Sequence, residues 1–106
     1  MKRLYEKHKI MNRELIIEYL KEHKPEFEKK FGVRRIGLFG SYAREKNQED
    51  SDIDIVVELE KPDLLNMIGI KQAIEEHFNK KVDIVRYRDK MNQVLKKRID
   101  RDAYYA

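Results

Sequence analysis

The string Ser51-Asp52-Ile53-Asp54-Ile55-Val56-Val57 constrains this chain more than any other. Successive side chains of a strand point to opposite faces. Ile53, Ile55 and Val57 therefore share one face, and Asp52, Asp54 and Val56 share the other. Aspartate is disfavoured in strands. The pattern calls for a sheet with one face under an apolar layer and the other open to two neighbouring carboxylates. Like charges at that spacing repel unless a cation lies between them.

The rest of the chain supplies the layer. Asn12 can cap a helix, and Leu15, Ile16, Tyr19 and Leu20 recur at helical spacing behind it. Pro25 is expected to interrupt that helix, with a further turn over Glu26 to Lys30, Phe27 and Phe31 inward, and Gly32 as the stop. Residues Met1 to Met11 carry no clear period and read as a frayed lead-in or a first helical turn. Val33 to Phe39 reads as a strand broken by Gly40-Ser41, followed by a short helix over Tyr42 to Lys46 and a polar loop to Ser51. Asp52 to Leu59 is a second strand. Leu64 to Phe78 is a helix, with Leu64, Leu65, Ile68, Ala73, Ile74 and Phe78 as candidates for its buried side. Val82 to Tyr87 is a third strand. Lys90 to Arg101 is a last helix using Met91, Val94, Leu95 and Ile99, and Ala103 to Tyr105 form a short edge strand. The fold class is α/β (α+β), a small mixed sheet with helices packed mainly on one face.

At 106 residues, one domain over 1–106 is expected, with no separate substrate domain. No stretch is apolar enough to span a membrane, and no secretory signal is visible at the N-terminus, so a cytoplasmic location is expected. Cysteine is absent, which excludes a disulfide scaffold, a thiolate metal site and a cysteine nucleophile. The net charge of +4 permits an anionic partner without requiring one.

Chemistry gathers around the aspartates. Asp83 interrupts another short apolar strand. If Val82 and Ile84 face the helices, Asp83 faces away, as Asp52 and Asp54 do. On neighbouring strands the three carboxylates would converge. Such a set can hold two divalent ions about 3.5–4 Å apart for in-line displacement at phosphorus, and Mg²⁺ suits the oxygen ligands. Gly40-Ser41, at a strand end opening a helix, offers an anion cradle: a close backbone approach, helix-start amides and a hydroxyl. Arg44 lies one turn on. A nucleoside triphosphate with Mg²⁺ fits both halves.

Gly40-Ser41, ten intervening residues, Asp52-x-Asp54 and a later Asp83 resemble the signature of the DNA polymerase beta superfamily. The Ala43-Arg44 pair, the Ser-Asp-Ile-Asp string and the short chain are most similar to its minimal nucleotidyltransferases (MNT). The resemblance implies the nucleotidyltransferase fold. It implies a Mg²⁺-dependent antitoxin that transfers AMP from ATP to a tyrosine of a HEPN-domain RNase toxin. Carried over residue by residue, Asp52 and Asp54 bridge two Mg²⁺ ions. Asp83 completes one of them and helps take the acceptor's proton. Gly40, Ser41 and Arg44 bind phosphates. Where relatives often have Arg and Gly, this chain has Tyr42 and Glu45, and Glu45 is expected to bring negative charge near the cradle. Two alternatives remain at this level: an antitoxin that works by binding alone, and transfer to a small molecule. The latter fits a short chain less well than an acceptor supplied by a partner protein.

Other features read as structural. Gly37 and Gly40 match a GXXG pattern but close a strand, unlike the loop of a KH domain, and no Walker A sequence is present. His8, His23 and His77 have no metal spacing and are expected to be exposed. Lys80-Lys81 and Lys96-Lys97-Arg98 read as solvated faces, so direct nucleic-acid binding is not expected. Met67, Ile68 and Ile70 could exceed one helical stripe, and an exposed apolar patch there would mark a partner site. Tyr104 and Tyr105 fit either an edge strand or a partner contact.

Overall fold

A computed structural model describes residues 11–106. Residues 1–10 of the lead-in, His8 among them, lie outside the described residues, while Met11 packs against the core. Helix α1 (Arg13–Phe31) starts where Asn12 accepts a hydrogen bond from the Leu15 amide at 2.9 Å and ends at Gly32, whose φ of 67° permits the left-handed turn. Pro25 does not interrupt it. The exposed proline leaves the Lys21 carbonyl without its helical donor, but buried Leu20 and Phe27 anchor the helix on both sides.

Strand β1 (Val33–Phe39) leads into a one-turn helix α2 (Gly40–Ala43), which therefore begins at Gly40 rather than Tyr42. Strand β2 (Ile53–Leu59) runs antiparallel to β1. Helix α3 (Leu64–Phe78) crosses over to β3 (Val82–Arg86), which is parallel to β2. Helix α4 (Gln93–Asp102) then leads into β4 (Tyr104–Tyr105), antiparallel to the other side of β1. The sheet order is β3-β2-β1-β4. The mixed sheet and its expected strands are as the periodicity indicates.

The alternation of β2 divides the core. Ile53, Ile55 and Val57 pack with Ile36 and Leu38 of β1 beneath Ile16 and Leu20 of α1 and Ile70 and Ile74 of α3. On the opposite face Val56 packs with Phe39, Met91 and Ile99, so α4 covers that side. Two helices thus cover one face and one covers part of the other. Burying a side chain of this size contributes roughly 1.5–3 kcal/mol, so the β2 stripe is a main source of stability.

Three expectations about helix faces fail. Leu64 and Leu65 are 71% and 77% exposed, and Ile68 is also exposed. The contact stripe of α3 runs through Met67, Ile70, Ile74 and Phe78, while its first turn projects past the surface it packs on. Since Ile70 is fully buried, the apolar surface patch is Leu64, Leu65 and Ile68 rather than Met67, Ile68 and Ile70. Val94 is exposed as well. Asn92 accepts from the Leu95 amide and caps α4 at Gln93, which leaves buried Met91 ahead of the helix. His77 is exposed, as expected, but His23 is half-buried, and both pack on Tyr19 with ring centroids 4.1 Å (His23) and 4.3 Å (His77) away.

Candidate active site

Asp54 occupies the middle strand of the group that forms the site. In the register of β1 and β2 it lies opposite Phe39, and in that of β2 and β3 it lies beside Asp83. Because Val82 is buried on the α1/α3 side, Asp83 takes the other face, which is also the face of Asp54. Asp52 lies two residues upstream, just before the strand begins. The approach to it is fixed by a tight turn in which the Gln48 amide donates to Ser51 Oγ at 2.8 Å, and by Lys80, which donates to the Glu49 carbonyl at 2.8 Å.

The carboxylate of Asp54 is pushed up to about 6, first by burial and then by the charges of Asp83 and Asp52, with Arg98 opposing. Burial and like charge at this carboxylate favour either a held proton or a nearby cation. As they stand, no three carboxylate or imidazole groups among the described residues are gathered tightly enough to enclose one metal ion. Asp54 and Asp83 come together; Asp52 approaches along the strand without completing a cage. The donor set is nonetheless all oxygen, partly buried and mutually repelling, which fits a divalent cation such as Mg²⁺.

Gly40 forms the other wall. Its φ is 75°, and a β-carbon there would overlap the carboxylate of Asp54. The glycine brings the end of β1 and the start of α2 directly against the acid cluster, where a side chain would fill the space. Ser41 follows, partly exposed, its hydroxyl without a hydrogen-bond partner among the described residues. Arg44 sits beyond the opposite end of this single turn, its guanidinium 4.0 Å from Asp102 of α4. That separation is at the limit of an ion pair, and Asp102 is already held by Arg101 through two bonds of 2.9 Å.

Glu45 does not burden the cradle as expected. It adopts a left-handed φ of 58°, and its carboxylate pairs with Arg13 at the start of α1. The same arginine donates to the Ala43 carbonyl at 3.2 Å and to Tyr104 Oη at 2.9 Å, tying α1, α2 and β4 together. Sequence reasoning missed this role of Arg13. Arg98 is exposed, as expected of its basic run.

The family model described as Polymerase beta, Nucleotidyltransferase matches residues 14–104. The chain belongs to the polymerase beta nucleotidyltransferase family. Among its relatives is the protein adenylyltransferase MntA of Thermococcus cleftensis, 38% identical over 94 residues, covering 88% of this chain and 94% of that one. A solved structure assigned as a minimal nucleotidyltransferase superposes with a TM-score of 0.71 at 32% identity, over 89% of this chain and 95% of the other. A toxin–antitoxin crystal structure with AMP-PNP matches at 26% identity and a TM-score of 0.64, over 90% of this chain and 72% of the other. A third structure holds a tri-AMPylated HEPN toxin of Shewanella oneidensis in complex with its MNT antitoxin. Its match has 25% identity and a TM-score of 0.56, covering 89% of this chain and 67% of that one. No helix of the described residues is long and apolar enough to cross a membrane.

Proposed function

We propose that this chain is a Mg²⁺-dependent nucleotidyltransferase that moves AMP from ATP to a protein hydroxyl, a tyrosine of a HEPN-type RNase, and so acts as that toxin's antitoxin. In this reading residues 1–106 work as one domain in the cytoplasm. The observation that carries it is the pairing of Asp54 with Asp83 on one open face, hard against Gly40. The relatives' names and the AMPylated toxin beside an MNT antitoxin support the acceptor class. The ATP analogue in a similar structure supports the donor.

Asp52, Asp54 and Asp83 would hold the metal. Bound there, Mg²⁺ supplies charge neutralisation for the triphosphate and acidifies the attacking hydroxyl. Gly40 and Ser41 receive the β- and γ-phosphates through a backbone that no side chain obstructs. Asp83, exposed at the edge strand, takes the acceptor's proton. The acceptor oxygen forms its bond to the α-phosphorus as the bond to pyrophosphate breaks. The protein's contribution is largely placement and charge. Arg44 is the weaker phosphate ligand, since it follows the far end of the α2 turn.

The test uses ATP labelled at the α-phosphate, Mg²⁺, this chain and a HEPN-type partner. Label should appear on the partner, vanish with Asp52→Asn plus Asp54→Asn, and be absent when the γ-phosphate carries it. A tight complex without label would overturn catalysis and leave an antitoxin that acts by binding.

A further inference from the structure

Helix α2 is a single turn, and a single turn does not hold its own shape: fixing its backbone costs more than its few hydrogen bonds return. Its neighbours must set its position. At the front, Gly40 lies against Asp54, and Phe39 provides no side-chain cap. In the middle, Tyr42 and Ala43 are buried in the same core as Ile16 and Leu20 of α1. At the back the contact is polar and comes from one residue. Arg13, partly buried at the start of α1, donates through Nη1 to the Ala43 carbonyl at 3.2 Å and to Tyr104 Oη at 2.9 Å, and its Nη2 pairs with Glu45. No backbone amide among the described residues reaches that carbonyl.

The guanidinium is itself well anchored. Asn12 caps the helix that carries it, and the Tyr104 ring lies beneath it with the centroid 4.5 Å away. Tyr104 in turn belongs to β4, which is paired to β1 at Gly37 and Leu38. Apolar packing of Tyr42 and Ala43 is non-directional, so the bond to the Ala43 carbonyl is the contact that orients the turn. The same turn carries Gly40 and Ser41. Displacing reacting groups by about 1 Å costs on the order of a hundredfold in rate, even when the cause lies away from the chemistry.

We propose that Arg13 is a positioning residue for the phosphate-binding turn: without touching the nucleotide, it holds the Ala43 end of α2 and so keeps Gly40 and Ser41 in place against Asp54. This rests on the nucleotidyltransferase reading of the site.

The experiment compares AMP transfer to a HEPN-type partner by wild type, Arg13→Ala, Arg13→Lys and Arg35→Ala, all assayed well below their melting temperatures. Arg35 is the matched control. It too bonds a glutamate (Glu58, 2.7 Å) and lies over a tyrosine ring (Tyr105, 3.8 Å), but at the other end of β1. Arg13→Ala should lower kcat roughly ten- to a hundredfold and leave the KM for the partner unchanged. Arg13→Lys should recover part of the loss, because an ammonium lacks the fork that serves three acceptors at once. Arg35→Ala should lose stability and transfer as wild type. Amide hydrogen exchange over residues 40–43 should quicken in Arg13→Ala, with that of β2 unchanged. If Arg13→Ala melts too low to assay, Arg13→Lys carries the same comparison. Wild-type transfer without Arg13, an equal loss in Arg35→Ala, or unchanged exchange over residues 40–43 would overturn the proposal and leave the transferase reading standing. Absence of transfer by the wild type would overturn that reading and the proposal with it.

Discussion

Gly40 and Asp54 share a space that holds only one side chain: a β-carbon on the glycine would overlap the aspartate's carboxylate. The end of β1 can approach the acids only because residue 40 has no side chain, and its φ of 75° already favours glycine. Gly40→Ala therefore faces two penalties, about 1–2 kcal/mol for the left-handed backbone and the displacement of Asp54. The expected result is loss of AMP transfer together with a lower melting temperature. Full transfer in the variant would show that this close approach is not needed.

Asp54 makes the site costly to the fold when no cation is bound. Its pKa is raised from 3.8 to about 6, so the folded state keeps a proton that the unfolded chain has lost over that window. Stability then falls as pH rises from about 4 to 6 and stays level above. For a partly exposed carboxylate the cost is on the order of 1–2 kcal/mol, less than a two-unit shift would carry without solvent screening. Metal-free Asp54→Asn should be more stable than wild type at pH 7.5 and similar at pH 4. Mg²⁺ should stabilise wild type and leave the variant nearly unmoved. Melting curves at the two pH values with and without Mg²⁺ check this. A variant less stable at pH 7.5 would contradict it.

The strands and the carboxylate face were legible in the sequence because a period of two assigns each side chain of Asp52 to Leu59 to a face, whatever the partners. The same holds for Asp83, which follows from Val82 and Ile84. Helical periodicity says less. It puts Ala73, Ile74 and Phe78 of α3 on the buried side, but it leaves the fully buried Ile70 in a surface patch and does not show where the helix overhangs its support, so Leu64, Leu65 and Ile68 were misplaced. The pairing of Arg13 with Glu45 joins residues far apart in the chain and leaves no local pattern.

Pro25 shows tertiary packing overruling a local rule. The helix continues through it although the ring removes one backbone donor, a loss of about 3 kcal/mol relative to alanine in a helix interior. Its greater stiffness in the unfolded chain returns part of that. Pro25→Ala should therefore stabilise the protein by about 1–3 kcal/mol, measured by urea unfolding, with AMP transfer unchanged. A destabilised variant would mean the proline is needed where it stands.

Glu45 sets two local effects against each other. Its left-handed backbone costs about 1 kcal/mol in a residue with a β-carbon. Its ion pair with Arg13 is largely exposed on the glutamate side and contributes at most about 1 kcal/mol. Glycine at this position removes both and keeps the turn, so Glu45→Gly should be neutral to stabilising by about 1 kcal/mol, a rise of a few degrees in melting temperature. Arg13→Ala should behave in the opposite way, because Arg13 also holds the Ala43 carbonyl, Tyr104 Oη and the Tyr104 ring. Combining the two substitutions isolates the pair: the double variant should differ from the sum of the single ones by less than about 1 kcal/mol. A strongly destabilised Glu45→Gly with a large coupling to Arg13 would instead make this ion pair, rather than the three-way contact of Arg13, the clasp that holds α2 against α1.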